Sequence, residues 1–343
     1  MTQNIVFYTS INRNYLANAR VLAKSVKDVF PNSSFVLLFN DVTPAGLRWH
    51  EEPFDDIVFA HELGIPEFQR FAFGYNVVEF CTATKGVMMQ RIFEERHCDI
   101  AIYLDPDCVA FSTFDELFAL LAKDASVVLT PHLTDPENSV KGVEYHEMAA
   151  LKHGTFNLGF LAVKNDASGR NFLAWWAERL IHHAHIDFER GIFTDQKWCN
   201  IAPYMFDGVS VLTDRAYNVA TWNQTARRLT RDDAGVWRIN DRPLRFYHFS
   251  GFGHDFAWAS HEFETFNESG RLIKPLWEEY GRALIANSYD LSKDWYWGHF
   301  YNGVPITKAD RTKYNESPDA GDRFPNPYDV ECFRWLRSKA ADV

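Results

Sequence analysis

Apolar residues recur along the first 165 positions in two alternating rhythms. Short continuous runs, "NIVFYTS" (4–10) and "FVLLFND" (35–41), flank a segment at 14–30 with apolar residues at 16, 19, 22, 23, 26 and 30. The runs read as buried strands and the spaced pattern as a helix with one apolar stripe. Strand, helix, strand within about 40 residues is a βαβ unit, which implies a parallel sheet covered on both faces. The rhythm continues with a strand at 55–63, a long amphipathic helix at 76–97, a strand at 99–107, a helix at 114–124 and a strand at 126–133. The second half is less regular: a strand at 156–165, a helix at 169–185, a turn into a short helix at 193–206 and a strand at 244–252. The expected class is α/β, a mixed, mainly parallel sheet flanked by helices. From about 254 onward the chain turns to aromatic helices and a tail rich in Pro, Asn and Asp, which predicts a C-terminal helical and aromatic extension.

Composition narrows the function. The 343 residues and 46% hydrophobic content suffice for a large core. A formal net charge of −11 argues against nucleic acid as the main partner, because phosphate backbones need a basic face. The five cysteines form no CxxC pair, which argues against a zinc site or a disulfide framework and makes a reducing cytoplasm the default. No window approaches the ~18 apolar residues of a spanning helix. Neither GxGxxG nor GxxxxGK[ST] occurs, so the usual Gly-rich phosphate cradles are missing.

The candidate chemistry begins at "AIYLDPDCVAF" (101–111), where Asp105 and Asp107 end an apolar strand. A parallel α/β sheet opens its ligand crevice at such strand ends. Two carboxylates at i and i+2 can meet one divalent cation and the oxygens of a diphosphate. The motif alone is equally a capped turn. Four further segments follow in order: "FNLG" (156–159), "TDQKWCN" (194–200), "AYNVATWN" (216–223) and "YHFSG" (247–251).

Together these five motifs resemble the GT-A glycosyltransferases, most closely the retaining, family 8-like group that includes glycogenin and the lipooligosaccharide galactosyltransferases. The resemblance covers roughly residues 4–252. It implies a Rossmann-like catalytic domain over 1–253, with 254–343 packed on it as an acceptor or interface region. It further implies transfer of a hexose from a nucleotide sugar, UDP-linked, to a saccharide or glycolipid, with retention. The cofactor is Mn²⁺ or Mg²⁺, held by Asp105, Asp107 and His248; a mixed oxygen and imidazole set suits Mn²⁺ better. Tyr8, Thr9 and Ser10 fall where the family holds uridine. Tyr15 either stacks on the base or fills the helix core, and Asp41 either reads the uracil imide or starts a turn. Lys85 falls where the family carries a cation over the donor diphosphate, with a solvated helix face as the other reading. By the same resemblance, Asn157 and Gly159 would border the donor sugar, Asp195 would bond its hydroxyls, and Gln196 would lie under the anomeric carbon. Ser250 and Gly251 contact phosphate; Trp222 and Asn223 fall between the acceptor and sugar pockets. One departure stands out. The family's lysine after H-x-x-G has no counterpart in "GFGHDFAW", where His254 is the substitute candidate. The other readings are a sugar nucleotidyltransferase and a non-catalytic glycan-binding protein. Peripheral membrane contact and a homodimer are both compatible with the aromatic tail.

Overall fold

A computed structural model of the chain describes residues 3–252, 270–288 and 294–338. Its centre is a seven-stranded sheet. The first seven strands in chain order are β1 (Ile5–Ile11), β2 (Ser34–Phe39), β3 (Asp56–Phe59), β4 (Ile100–Leu104), β5 (Cys108–Ala110), β6 (Val127–Pro131) and β7 (Phe156–Lys164). The sheet runs Val209–Val211, β6, β7, β4, β1, β2, β3. Strands β1 to β4 are mutually parallel where they pair, and β7 alone runs antiparallel to both its neighbours. The mixed, mainly parallel sheet expected from the pattern is therefore the one observed.

Alternation along β4 sets the two cores. Ala101 and Tyr103 face a core built with the helices Lys85–Glu95 and Ala167–His183, while Ile100, Ile102 and Leu104 face one built with Leu16–Val29 and Asp115–Leu121. Every residue of β4 is buried, as a strand covered on both faces requires. The predicted helix at 76–97 is interrupted at Thr84, giving Val77–Ala83 and Lys85–Glu95. The Thr84 hydroxyl donates to Asn40 Oδ1 at 2.8 Å and so ties the joint to the end of β2. An Asn76–Glu79 capping box starts the first helix. Gly86 lets the second pack tightly, since a Cβ there would lie 2.6 Å from Ala177 Cα.

The aromatic C-terminal residues add to these cores. Ile273, Trp277, Tyr280 and Leu284 of the helix Gly270–Ala286 pack with Ala17, Val21 and Tyr247. Tyr314, Tyr328 and Cys332 join the Tyr103 core. Trp295 donates its indole N–H to Asn40 O at 3.0 Å, which seats this segment on the end of β2. Among the described residues no helix is long and apolar enough to cross a membrane.

Candidate functional site

Asp105, Pro106, Asp107 and Cys108 form a β-turn closed by Cys108 N–H to Asp105 O at 3.0 Å. Pro106 sits at its second position, where a fixed φ favours the turn. Both sides of the turn are pinned. Asp105 N–H donates to Gly159 O at 2.9 Å, and Phe249 N–H to Asp107 O at 2.8 Å. Strand β5 then pairs antiparallel with Phe246–His248, in a register that sets His248 opposite Cys108. A histidine 141 positions downstream is thereby placed against the turn by backbone pairing.

The imidazole and the two carboxylates converge. His248 Nε2 lies 3.1 Å from Asp107 Oδ1 and 3.7 Å from Asp105 Oδ2. Octahedral oxygen and nitrogen donors at ~2.1 Å from a cation lie ~3 Å apart, the spacing of His248 Nε2 and Asp107 Oδ1, with Asp105 Oδ2 standing farther out. The ring orientation fits as well. His248 Nδ1 meets Asn218 Oδ1 at 3.2 Å, while Asn218 Nδ2 donates to Thr130 Oγ1 and Asn157 Oδ1 at 2.9 and 3.0 Å. With its amide nitrogen spent, Asn218 presents oxygen to Nδ1–H, so Nε2 is the ring atom that faces the carboxylates. Burial opposes an imidazolium charge, but Asp107 and Asp105 outweigh it and hold the His248 pKa above its ordinary value, so a cation would take the place of the Nε2 proton. Cys108 is the third member of the group whose ligand atoms lie within 4.8 Å of one another, with Asp107 and His248. Its thiol is fully buried against Gly159 O, and burial pushes its pKa up, so it stays protonated beneath the site.

Lys85 is buried among carboxylates. Its Nζ lies 2.8 Å from Asp195 Oδ2 and 3.2 Å from Asp105 Oδ1, and 4.1 Å from the centre of the Tyr103 ring. Burial opposes the ammonium charge, but Asp105 and Asp195 outweigh it and hold the lysine pKa above its ordinary value. Burial pushes Asp195 up in spite of Lys85. For Asp105 the same penalty is overcome by Lys85 and His248, which hold it below the usual carboxylate range.

These groups line a cavity of about 830 Å³ together with Ser10, Tyr15, Asn157, Gln196, Trp222, Ser250 and Gly251. Gly251 adopts φ +80°, in the left-handed region that glycine enters without strain. Other expected residues lie elsewhere. Tyr8 and Thr9 are fully buried and outside the cavity wall; the Tyr8 hydroxyl donates to Lys85 O at 3.0 Å, which supports the lysine from below. Ser10 lines the wall, but its hydroxyl donates to Cys81 O and accepts from Asn40. Asp41 is 1% exposed, and its carboxylate accepts from the backbone N–H groups of Val42, Tyr296 and Arg13. It anchors the C-terminal segment and is not among the residues that line the cavity. Gly159 is not among the residues that line the cavity: a Cβ there would lie 2.5 Å from His248 Cε1 and 2.7 Å from Nδ1, so the imidazole fills the space that glycine leaves. A Gly159→Ala variant is expected to push His248 aside at a cost of about 1–3 kcal/mol. Thermal unfolding checks the cost, and a matched titration with Mn²⁺ is expected to show weakened binding. Asn223 braces its own loop through Asn218 O and Ala220 N–H. His254 lies outside the described residues.

Several cavity residues carried no motif. His132 accepts at Nε2 from Asn157 Nδ2 at 3.2 Å, while its Nδ1 has no partner among the described residues. His132, Asn157, Asn218 and His248 thus form one amide–imidazole chain. Burial lowers the His132 pKa from 6.5 to about 4. The folded state therefore binds fewer protons than the unfolded chain, and stability is lost as pH falls from about 6.5 towards 4. A His132→Gln variant is expected to recover about 3 kcal/mol of that loss at pH 4, read as the difference between wild-type and variant urea midpoints at pH 7 and pH 4.

No family model matches the chain. It is 25% identical over 251 residues to the uncharacterized protein YfnD of Bacillus subtilis (strain 168), spanning 72% of this chain and 77% of YfnD. It is also 25% identical over 177 residues to the uncharacterized protein YfnF of the same organism, a match that covers 57% of YfnF. Among solved structures it is similar to the galactosyltransferase LgtC in complex with donor and acceptor sugar analogs, with TM-score 0.47 and 18% identity over 80% of this chain and 95% of that one. It is also similar to mouse xyloside xylosyltransferase 1, with TM-score 0.43 and 13% identity over 73% of this chain and 98% of that one.

Proposed function

We propose that the chain is a GT-A glycosyltransferase that moves a hexose from a nucleoside diphosphate sugar, UDP-linked, to a saccharide or glycolipid hydroxyl. The observation that carries this reading is the convergence of Asp105, Asp107 and a His248 oriented by Asn218 on the cavity wall at the carboxyl end of β4. Those three residues would hold a divalent cation, Mn²⁺ before Mg²⁺. When bound, that cation supplies Lewis-acid stabilisation of charge on the leaving diphosphate. The residues around it prepare the rest. Lys85 balances Asp105 and Asp195, so its charge is already committed to protein carboxylates and does not depend on the donor. The backbone N–H groups and the hydroxyl of Ser250–Gly251 are the candidate phosphate donors.

Retention fits the geometry around Asp195. Inversion needs a free carboxylate base opposite the leaving group. Asp195 is 2% exposed, with one oxygen on Lys85 and the other on Thr194 at 3.1 Å. Gln196 is a neutral amide and a poor nucleophile, and its Nε2 is held by His153 O at 3.1 Å. The acceptor hydroxyl therefore attacks on the face that the diphosphate leaves. The new C1–O bond forms as the C1–O–P bond breaks, its electron pair passes to the diphosphate, and the hydroxyl proton goes to the departing phosphate oxygen. The described part of 254–343 adds to the cores that support this site, consistent with an extension packed on a catalytic domain at 1–253.

The test is donor turnover across a panel of UDP- and GDP-sugars with and without EDTA, with NMR of the product's anomeric configuration. EDTA-sensitive release of UDP with a retained anomer is expected. Turnover that ignores EDTA overturns the metal assignment, and an inverted anomer overturns same-face attack.

A further inference from the structure

The wall beside Gln196 carries a group that the proposed chemistry leaves unused. His153 is the last residue of the helix Met148–His153, immediately before the turn into β7. Its Nδ1 lies 2.9 Å from Ala149 O, one turn back on its own helix. A carbonyl only accepts, so Nδ1 carries the proton and Nε2 is a lone-pair acceptor. Nε2 has no partner among the described residues, and the ring lines the cavity. Burial lowers the His153 pKa below its ordinary value against the Ala149 contact, and the charges of Lys152 and Lys197 add to the lowering, so the ring stays neutral. Two rings flank it: Phe193 meets the imidazole edge-on at 4.7 Å and Phe188 does so at 5.5 Å.

Gln196 stands next to it. With Nε2 of Gln196 spent on His153 O, its Oε1 is a second neutral acceptor with no partner among the described residues. Two neutral acceptors on one wall suit a ligand that offers O–H groups. They do not suit a carboxylate or phosphate, which would need donors.

We propose that His153 is a specificity-determining residue for the acceptor. Its Nε2 takes the hydrogen bond of a non-reacting hydroxyl on a saccharide that enters over Gln196. This rests on the glycosyltransferase reading above and assigns the acceptor side of the same cavity. The hydroxyl that attacks gives its proton to the departing phosphate oxygen, so His153 orients the acceptor and takes no part in bond making.

The experiment uses the full chain, the best donor of the panel, and methyl β-glycosides of glucose, galactose, N-acetylglucosamine and lactose as acceptor probes. Transfer kinetics are measured for wild type, His153→Phe and His153→Gln. The Phe variant is expected to raise the acceptor KM at least tenfold with the donor KM within twofold. The Gln variant, which returns an acceptor oxygen, is expected to recover most of the loss. Saturation-transfer NMR of the same glycosides on the wild type is expected to show binding that His153→Phe removes. Equal acceptor KM in wild type and His153→Phe overturns the assignment, as does donor turnover by a wild type that binds none of the glycosides. A wild type that turns over no donor fails at the underlying reading and takes this assignment with it.

Discussion

A Lys85→Met variant is expected to lose about 3–5 kcal/mol of stability at pH 7, because it leaves the buried Asp195 and the half-buried Asp105 without their cation. Asp105 and Asp195 both lean on the same ammonium, at 3.2 and 2.8 Å. The loss should shrink on acidification. With Lys85 gone, the folded-state pKa of Asp195, already raised by burial, rises further above its unfolded value. A carboxyl with a raised folded pKa penalises folding fully above that pKa and ceases to do so below the unfolded one. Urea unfolding of wild type and variant at pH 7 and pH 4 reads both effects. A variant equal to wild type at pH 7 would mean that water, not lysine, solvates these carboxylates.

Asp107→Asn is expected to separate chemistry from stability. Asp107 makes no contact with Lys85; its side chain faces His248 at 3.1 Å. Replacing one oxygen by nitrogen keeps its volume and removes the negative charge from the proposed metal shell. Donor turnover should fall by about 10²–10³, the usual cost of removing one electrostatic stabiliser of a transition state, with an unfolding midpoint close to wild type. Asp105→Asn should lose activity and stability together, because Asp105 also compensates Lys85. Turnover assays paired with unfolding curves distinguish the two aspartates, and equal stability losses in both variants would contradict the separation.

Which parts of this site were legible beforehand follows from the range of the interactions involved. The strands and the Asp105–Pro106–Asp107 turn are local, since apolar runs and a proline-stiffened turn leave their mark within ten residues. His248 and Asn157 were reachable because each lies in a short motif at a strand. Asp41 was not. Its carboxylate is consumed by Tyr296 N–H, 255 positions away, and no local pattern announces that contact. Tyr8 and Thr9 went astray because a strand's period of two says which residues share a face but not which face opens to the cavity. Lys85 was read as a cation over the donor diphosphate or as a solvated helix face, and no helical wheel shows that Asp105 and Asp195 take up its charge. Gly159 was read by what glycine permits, and the structure shows what occupies the space. His132 and His153 belong to no motif, and Asn218 lies inside one whose weight fell on Trp222 and Asn223. The usable signal for His132 and Asn218 was position alone: one ends the apolar run at 126–133, and the other sits within "AYNVATWN".

The central claim is that Asp105, Asp107 and His248 bind a divalent cation that in turn binds a nucleoside diphosphate. Calorimetric titration of UDP into the wild type and Asp107→Asn, each with and without Mn²⁺, tests it most directly. The account predicts UDP binding by the wild type that requires Mn²⁺ and is lost in Asp107→Asn. UDP binding of equal strength with and without Mn²⁺, or unchanged in the variant, would contradict it.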